Sequence, residues 1–162
     1  MKKQISNIVV MGVSGCGKTT LAKELAKKLD LVFIEGDDFH PKANVDKMAA
    51  GNPLTNEDRK PWLEELNRIM KQINGTVVSC SALKSSYRKI LQNGVNELLF
   101  IHLEGSFDLI HNRMKARSDH FMPAELLQSQ FDILENPTNA FVININKSKE
   151  DILDEALAYL TK

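Results

Sequence analysis

Residues 12–19 constrain the fold of this chain more than any other segment. They read Gly-Val-Ser-Gly-Cys-Gly-Lys-Thr, which fits the phosphate-loop pattern of Gly, four variable residues, Gly-Lys and then Ser or Thr. Such a loop works between a buried strand and the first turn of a helix, where backbone N–H groups approach phosphate oxygens. The apolar run 5–11 and the amphipathic stretch 18–29 supply that context. The motif therefore predicts a nucleotide-binding α/β protein.

Single positions of the motif predict single contacts with a nucleotide. Lys18 can reach the β- and γ-phosphates, which makes it a candidate catalytic residue, and the Thr19 hydroxyl can bind Mg2+. A helix that starts near Gly17 adds its positive dipole end to the same anion. The predicted nucleotide-binding residues of the loop are Gly12, Val13, Ser14, Gly15, Cys16, Gly17, Lys18, Thr19 and Thr20.

Short apolar runs alternate with amphipathic stretches along the rest of the chain. The predicted strands are residues 5–11, 31–35, 76–80, 98–103 and 140–145. The predicted helices are residues 18–29, 41–50, 55–73 with Thr55 as cap, 84–92, 106–117 with Ser106 as cap, 123–134 and 149–160. Because helices separate consecutive strands, we predict a three-layer α/β/α fold with a five-stranded parallel sheet covered on both faces.

Composition argues against several classes of protein. Lys+Arg and Asp+Glu both number 21 among the 162 residues, and a net charge of zero does not favour nucleic-acid binding. No stretch approaches the roughly 18 apolar residues of a membrane span, and residues 8–11 are too short for a signal-peptide core. Cys16 and Cys80 are too few for a disulfide framework. We therefore expect a cytoplasmic protein with reduced thiols and no membrane partner.

Carboxylates follow the second predicted strand, in the sequence Glu-Gly-Asp-Asp-Phe-His-Pro at residues 35–41. Ligands of open α/β sheets bind outside the carboxyl ends of the strands, so Asp37 is expected near the phosphate loop. It could accept the proton of an acceptor hydroxyl, or hold a water molecule on Mg2+. The alternative is that Asp37 or Asp38 caps the helix that starts at Pro41. His40 has a structural alternative as well, as a hydrogen-bonded turn residue.

Basic side chains cluster near three of the predicted element ends. One cluster precedes the Pro-Trp pair at 61–62, one follows the third strand, and one precedes the polar, mobile-looking segment 118–122. Arg113 and Arg117 are four residues apart and share one helix face. Arginines on a closing lid neutralise charge in phosphoryl transfer, whereas the alternative is ordinary solvated surface charge. The clusters contain Arg59, Lys60, Lys84, Arg88, Lys89, Arg113, Lys115 and Arg117.

Several blocks together make the chain resemble the bacterial gluconate kinases of the short P-loop type, over nearly its whole length. The block Asp-Arg-Lys-Pro-Trp at 58–62 and the block Cys-Ser-Ala-Leu-Lys at 80–84 are more specific to this family than the phosphate loop. The other residues that carry the resemblance are Gly36, Asp37, His40, Pro41, Asn44, 47–49, Gly51, Pro53, Leu54, Leu63, Tyr87, Arg88, Arg113, 115–117, His120, Phe121, Gln130 and Phe131.

The resemblance implies a fold like that of shikimate kinase and the nucleoside monophosphate kinases, in one P-loop kinase domain over residues 1–162. It implies a mobile lid at about 113–136 and acceptor-binding helices at about 38–73. The implied reaction converts ATP and D-gluconate to ADP and 6-phosphogluconate with Mg2+, in a cytosolic homodimer. By the same likeness Asp37 is the general base, Arg113 and Arg117 are catalytic lid arginines near ATP, and the substrate-binding residues are Asp37, His40, Arg59, Lys84 and Arg88.

Two departures from the family pattern concern the metal. Relatives often have Asp-Gly-Asp where this chain has Glu35-Gly36-Asp37, and the third strand has no Walker-B aspartate. The expected metal ligands are Thr19, water and Asp37. Two other functions remain open: a kinase for another small hydroxy acid such as shikimate, and a non-catalytic nucleotide-binding module.

Overall fold

The computed structural model describes residues 7–73, 75–116 and 123–161, so Arg117 and the predicted mobile segment 118–122 lie outside the described residues. The strands are β1 (Asn7–Met11), β2 (Val32–Glu35), β3 (Thr76–Ser79), β4 (Leu98–Glu104) and β5 (Phe141–Asn144). The α-helices of the described part are α1 (Lys18–Leu29), α2 (Lys42–Ala49), α3 (Asn56–Ile73), α4 (Ser85–Gln92), α5 (Phe107–Lys115), α6 (Ala124–Ile133) and α7 (Lys149–Leu160).

All five strands join one parallel sheet in the order β2-β3-β1-β4-β5. Strand β1 is central, with Val9 in register with Val78 of β3 and Phe100 of β4. Every residue of β1 and β3 is buried, which requires cover on both faces of the sheet. The predicted five-stranded parallel sheet of an α/β protein is therefore confirmed.

The sheet topology opens a crevice at the carboxyl ends of the central strands. The connection that follows β1 leads to β2 on one side, whereas the connection that follows β4 leads to β5 on the other. Ligands of open α/β sheets bind where the connections from neighbouring strands run in opposite directions. The phosphate loop follows β1, so the topology places it at this crevice.

Local hydrogen bonds start two of the helices at the predicted residues. The Thr55 hydroxyl accepts the Asp58 N–H (3.1 Å), and the Thr55 N–H donates to the Asp58 carboxylate (2.9 Å). This reciprocal pair is a capping box that starts α3. The Ser106 hydroxyl accepts the Leu109 N–H (3.1 Å) and caps α5. Both predicted caps are confirmed.

A 3-10 turn at Gly36–Phe39, absent from the prediction, follows β2 directly. A Cβ atom on Gly36 would lie 2.1 Å from the Ser79 carbonyl oxygen, so the turn can approach β3 only with glycine there. Extended residues His40 and Pro41 separate the turn from α2, which has no side-chain cap. The prediction that Asp37 or Asp38 caps that helix is wrong, because the 3-10 turn holds both carboxylates too far before Lys42.

No helix within residues 7–73, 75–116 and 123–161 is both long enough and apolar enough to cross a membrane.

Candidate active site

The phosphate loop is a compact turn between β1 and α1. Gly15 has φ +81° in the left-handed region, and a Cβ there would lie 2.6 Å from the Cγ of Met114 on α5. The glycine therefore serves both the turn and its close packing against α5. The Lys18 ammonium donates to the Val13 carbonyl (3.0 Å), so it folds back over the loop. This position keeps the cation beside the backbone that would cradle phosphates.

The Glu35 carboxylate joins the loop to the ends of two strands. One oxygen accepts the Thr19 hydroxyl (2.6 Å), and the other accepts the Ser79 hydroxyl (2.7 Å). The Thr19 oxygen donates its hydrogen to Glu35 and so keeps its lone pairs for a cation. A hydroxyl with carboxylates at Glu35 and Asp37 is an oxygen-only donor set, which suits Mg2+. Glu35 was absent from the predicted ligands, although the Glu-Gly-Asp sequence was a signal for it.

A cavity of about 770 Å³ opens behind the loop. This volume lies within the range of small-molecule sites. The Arg113 side chain lines it and donates to the Ile145 carbonyl (2.8 Å), which holds the guanidinium at the end of β5. Thr20 lines the cavity as well. The structure thus brings Arg113 beside the phosphate loop, whereas Arg117 lies outside the described residues.

Arg59 is a buried cation in the first turn of α3. Its residue exposure is only 7%. It donates to the Leu54 carbonyl (2.7 Å) and to the Tyr87 hydroxyl (3.1 Å), and neither partner is charged. Among the described residues, no carboxylate is bonded to this buried guanidinium, so the site favours an anion.

Asn56 and Lys84 extend this cationic site. The Tyr87 hydroxyl (2.6 Å) and the Lys84 ammonium (3.2 Å) both donate to the Asn56 side-chain oxygen. The Asn56 oxygen is thereby occupied, which leaves its amide N–H groups as donors for a ligand. Sequence reasoning selected Lys84 but missed Asn56, because an exposed Asn at a helix start is common and carries no signal of its own.

Arg88 has a different environment from Arg59. It donates to the Ala82 carbonyl (2.7 Å) and to the Glu135 carbonyl (2.9 Å), and burial lowers the pKa of its guanidinium. Glu135 follows α6, so Arg88 fastens the end of that helix to the segment after β3. In this structure Arg88 positions backbone, and its predicted contact with substrate stays a prediction.

His40 lies in a packed environment. Its ring stacks on Trp62 with a centroid separation of 3.9 Å, and its side chain is only 4% exposed. The Asn44 amide donates to His40 Nδ1 (3.2 Å), which places the proton of the neutral ring on Nε2. These contacts fit the alternative of a hydrogen-bonded turn residue, and substrate binding by His40 stays a prediction.

Asp37 presents a free carboxylate at the carboxyl end of β2. Its side chain is 79% exposed, and it lies 3.8 Å from His40 Nε2, too far for a hydrogen bond. Burial raises the pKa of the Cys80 thiol to about 12, and the charges of Asp37, Lys18 and Arg59 also act on that thiol. The exposed Asp37 carboxylate is open to a ligand at the carboxyl end of β2.

Gln130 is a further residue that sequence reasoning left out of the site. Its side-chain oxygen accepts the Ser14 N–H (2.8 Å), and its NH2 group donates to the Ser14 hydroxyl (3.0 Å). The two residues are 116 positions apart, so no local pattern connects them. Only the folded arrangement of α6 against the loop reveals this contact.

We predict that two histidines make the protein less stable in mild acid. Burial lowers the pKa of His40 and of His102 below the ordinary value of 6.5. Below that value the unfolded chain binds more protons than the folded one, so stability falls with pH until the lowered pKa is passed. Each histidine contributes at most about 1.4 kcal/mol per pH unit. Urea unfolding between pH 7.5 and 5.5 measures the slope.

The variant His40→Asn provides the control for this prediction, because its amide can still contact Asn44 but does not titrate. We expect the free energy of unfolding to change less steeply with pH in His40→Asn than in the original chain. Equal slopes would contradict the assignment of a lowered pKa to His40.

Comparisons with known proteins agree with this architecture. The sequence model of the shikimate kinase family matches residues 14–160. The thermoresistant gluconokinase of Escherichia coli is 41% identical over 162 residues, which cover 95% of this chain and 93% of that protein. The gluconokinase of Gluconobacter oxydans is 48% identical over 134 residues, covering 80% and 75%.

A solved structure extends the agreement to three dimensions. The crystal structure of a gluconokinase from Sinorhizobium meliloti superimposes with a TM-score of 0.89 at 42% identity, covering 96% of this chain and 91% of that one. The two proteins therefore share one fold over nearly their whole length. On this sequence identity, coverage and fold, the chain belongs to the gluconokinase family of shikimate-kinase-like P-loop kinases.

Proposed function

We propose that this protein transfers the γ-phosphoryl group of ATP to the 6-hydroxyl of D-gluconate, giving ADP and 6-phosphogluconate. The observation that carries the proposal is the presence of two cations, Lys18 folded over the phosphate loop and the buried Arg59, whose bonded partners are neutral. One cation suits the phosphates of the donor and the other suits an anionic acceptor. The gluconokinase relatives support gluconate as that acceptor.

Gluconate offers a carboxylate and a chain of hydroxyls, and the acceptor side offers matching groups. Arg59 binds the carboxylate through the guanidinium edge that its backbone contact leaves free. The Lys84 ammonium and the Asn56 amide donate to hydroxyl oxygens of the substrate. His40 and Arg88 hold the walls of the site and complete the predicted substrate-binding set.

The chemical step moves one phosphoryl group and one proton. Asp37 accepts the proton of the 6-hydroxyl, whose oxygen then attacks the γ-phosphorus in line with the bond that breaks to ADP. Lys18 stabilises the charge on the transferring group. Arg113 lies beside the loop and Arg117 follows four positions later in sequence, so we assign both to the lid arginines.

Mg2+ is the metal that the oxygen-rich donor set favours. We assign Thr19 as a direct ligand and Glu35 as its hydrogen-bonded support, with Asp37 acting through water. When bound, Mg2+ neutralises phosphate charge. Glu35 orients the lone pairs of the Thr19 hydroxyl, and the carboxylates of Glu35 and Asp37 supply the negative charge that attracts a cation.

Further parts of the proposal concern the whole molecule. We assign residues 1–162 to one domain, about 113–136 to a lid and about 38–73 to acceptor-binding helices. By likeness to its family the protein is a homodimer that works in the cytoplasm. Size-exclusion chromatography with light scattering measures the assembly state.

The function is tested by an assay that couples ADP formation to a visible readout. We expect ADP formation with D-gluconate and ATP, slower formation with other aldonates, and none with shikimate, each compared with and without Mg2+. Gluconate has the carboxylate and the open hydroxyl chain that Arg59 and its neighbours fit. Acceleration by shikimate but not by gluconate would contradict the proposed substrate.

Asp37→Asn tests the assignment of the general base. We expect turnover to fall by about 100- to 10,000-fold, because an amide cannot accept the hydroxyl proton. Nucleotide affinity, measured by calorimetry, is expected to stay close to that of the original chain. Asp38→Asn is the matched control, since Asp38 is an exposed neighbour in the same 3-10 turn. Equal rates in the two variants would remove Asp37 from the catalytic role.

Glu35→Gln tests the support of the metal ligand. We expect the Mg2+ concentration for half-maximal rate to rise by about tenfold, because one charge-assisted hydrogen bond to Thr19 is lost. Glu125→Gln on an exposed position of α6 is the control for loss of one negative charge. An unchanged Mg2+ requirement in Glu35→Gln would show that the carboxylate has no part in metal binding.

A further inference from the structure

The two hydrogen bonds between Gln130 and Ser14 each have one possible donor. The Ser14 backbone N–H can only donate, so the amide atom facing it at 2.8 Å must be the Gln130 oxygen. The amide NH2 group then faces the Ser14 hydroxyl at 3.0 Å. Because NH2 can only donate, the hydroxyl oxygen is the acceptor in this bond.

This arrangement decides where the hydrogen of the Ser14 hydroxyl goes. A hydroxyl has one hydrogen, and the bond from Gln130 makes that hydrogen point away from the amide. In the hydrogen-bond pattern of residues 7–73, 75–116 and 123–161, the Ser14 hydroxyl donates to no protein acceptor. It is therefore a donor that protein contacts have oriented and left available for a ligand.

The position of Ser14 identifies the ligand group. Ser14 follows Val13, whose carbonyl accepts the Lys18 ammonium, and precedes Gly15 in the tight part of the loop. The lysine of a phosphate loop reaches the β- and γ-phosphates, and Ser14 directly follows the residue whose carbonyl binds this lysine. The oxygens of a γ-phosphate are the anionic acceptors expected there.

We propose that Gln130 is a positioning residue that fixes the Ser14 hydroxyl as a hydrogen-bond donor to the γ-phosphate of the bound nucleotide. The inference rests on the proposed function only in taking a nucleoside triphosphate as the donor. Gln130 itself touches the loop, and it acts through Ser14.

The segment that follows α6 is anchored by hydrogen bonds. Glu135 follows the helix, donates its N–H to the Leu83 carbonyl (2.8 Å) and accepts the Ser85 N–H on its carboxylate (2.6 Å). Its carbonyl accepts Arg88 as well. Three hydrogen bonds thus tie the segment after α6 to residues 83–88, and the Leu134 N–H donates to the Gln130 carbonyl (3.1 Å), so Gln130 lies close to an anchored part of the chain.

Gln130→Glu is the sharpest variant, because it keeps an oxygen for the Ser14 N–H and replaces only the NH2 donor. The hydroxyl is then expected to turn and donate to the new carboxylate. We expect the affinity for a non-hydrolysable ATP analogue to fall by about tenfold, whereas ADP affinity changes less than about twofold. ADP lacks the γ-phosphate and serves as the internal control. Calorimetry measures both, and kcat with gluconate is expected to fall in parallel.

Two controls separate orientation from charge. In the Ser14→Ala background no hydroxyl exists to reorient, so Gln130→Glu is expected to alter the ratio of analogue to ADP affinity by less than about twofold. Gln128→Glu places the same new charge on an exposed position of α6, away from the loop, and is expected to leave both affinities unchanged. If Gln130→Glu does not fold, Gln130→Met replaces it and is expected to lower the ratio to a smaller extent.

Two results would overturn the inference. Equal losses for ADP and the ATP analogue would mean that Gln130 supports only the shape of the loop. A selective loss that persists in the Ser14→Ala background would mean that charge alone accounts for it. If the original chain did not phosphorylate gluconate but the binding results were as expected, the proposed function would fail while the role of Gln130 would stand.

Discussion

The carboxylate of Glu35 is the group on which the geometry of the site depends. It binds the hydroxyls of Thr19 and Ser79, and the Ser79 hydroxyl in turn accepts the Gly36 N–H (3.3 Å). Thr19 lies in the first turn of α1, Ser79 ends β3 and Glu35 ends β2. The 3-10 turn, the phosphate loop and the segment after β3 continue from those ends, so one charged group sets their separation. Hydrogen bonds to a charged group are stronger than neutral ones, which suits this purpose.

The acceptor side shows how the fold keeps positive charge available. Arg59 is nearly fully buried, yet it donates to the Leu54 carbonyl and the Tyr87 hydroxyl. Neutral oxygens satisfy the N–H groups without cancelling the charge. A carboxylate partner from the protein would satisfy the same groups and also remove the attraction for an anion. The observed partners therefore give the site rigidity and preserve its preference for anionic ligands.

Features encoded by a few neighbouring residues could be predicted from the sequence. The phosphate loop, the capping box at Thr55 and the buried central strands each depend on local spacing or on an apolar run. The 3-10 turn could not, because it depends on how closely Gly36 can approach the Ser79 carbonyl across two strands. The same holds for the orientation of Asn56, which depends on a hydrogen bond from Tyr87 of α4.

Contacts between residues far apart in the chain are the hardest to predict from the sequence. In this protein such contacts join α6 and the segment after it to the phosphate loop and to α4. Gln130 binds Ser14 of the phosphate loop, and Glu135 binds Ser85 and Arg88 of α4. Glu135 lies five positions after Gln130 and two positions after the end of α6. The chain from Gln130 to Glu135 therefore links the phosphate loop to the segment after β3, and Glu35 makes a second link between the loop and β3 through Thr19 and Ser79.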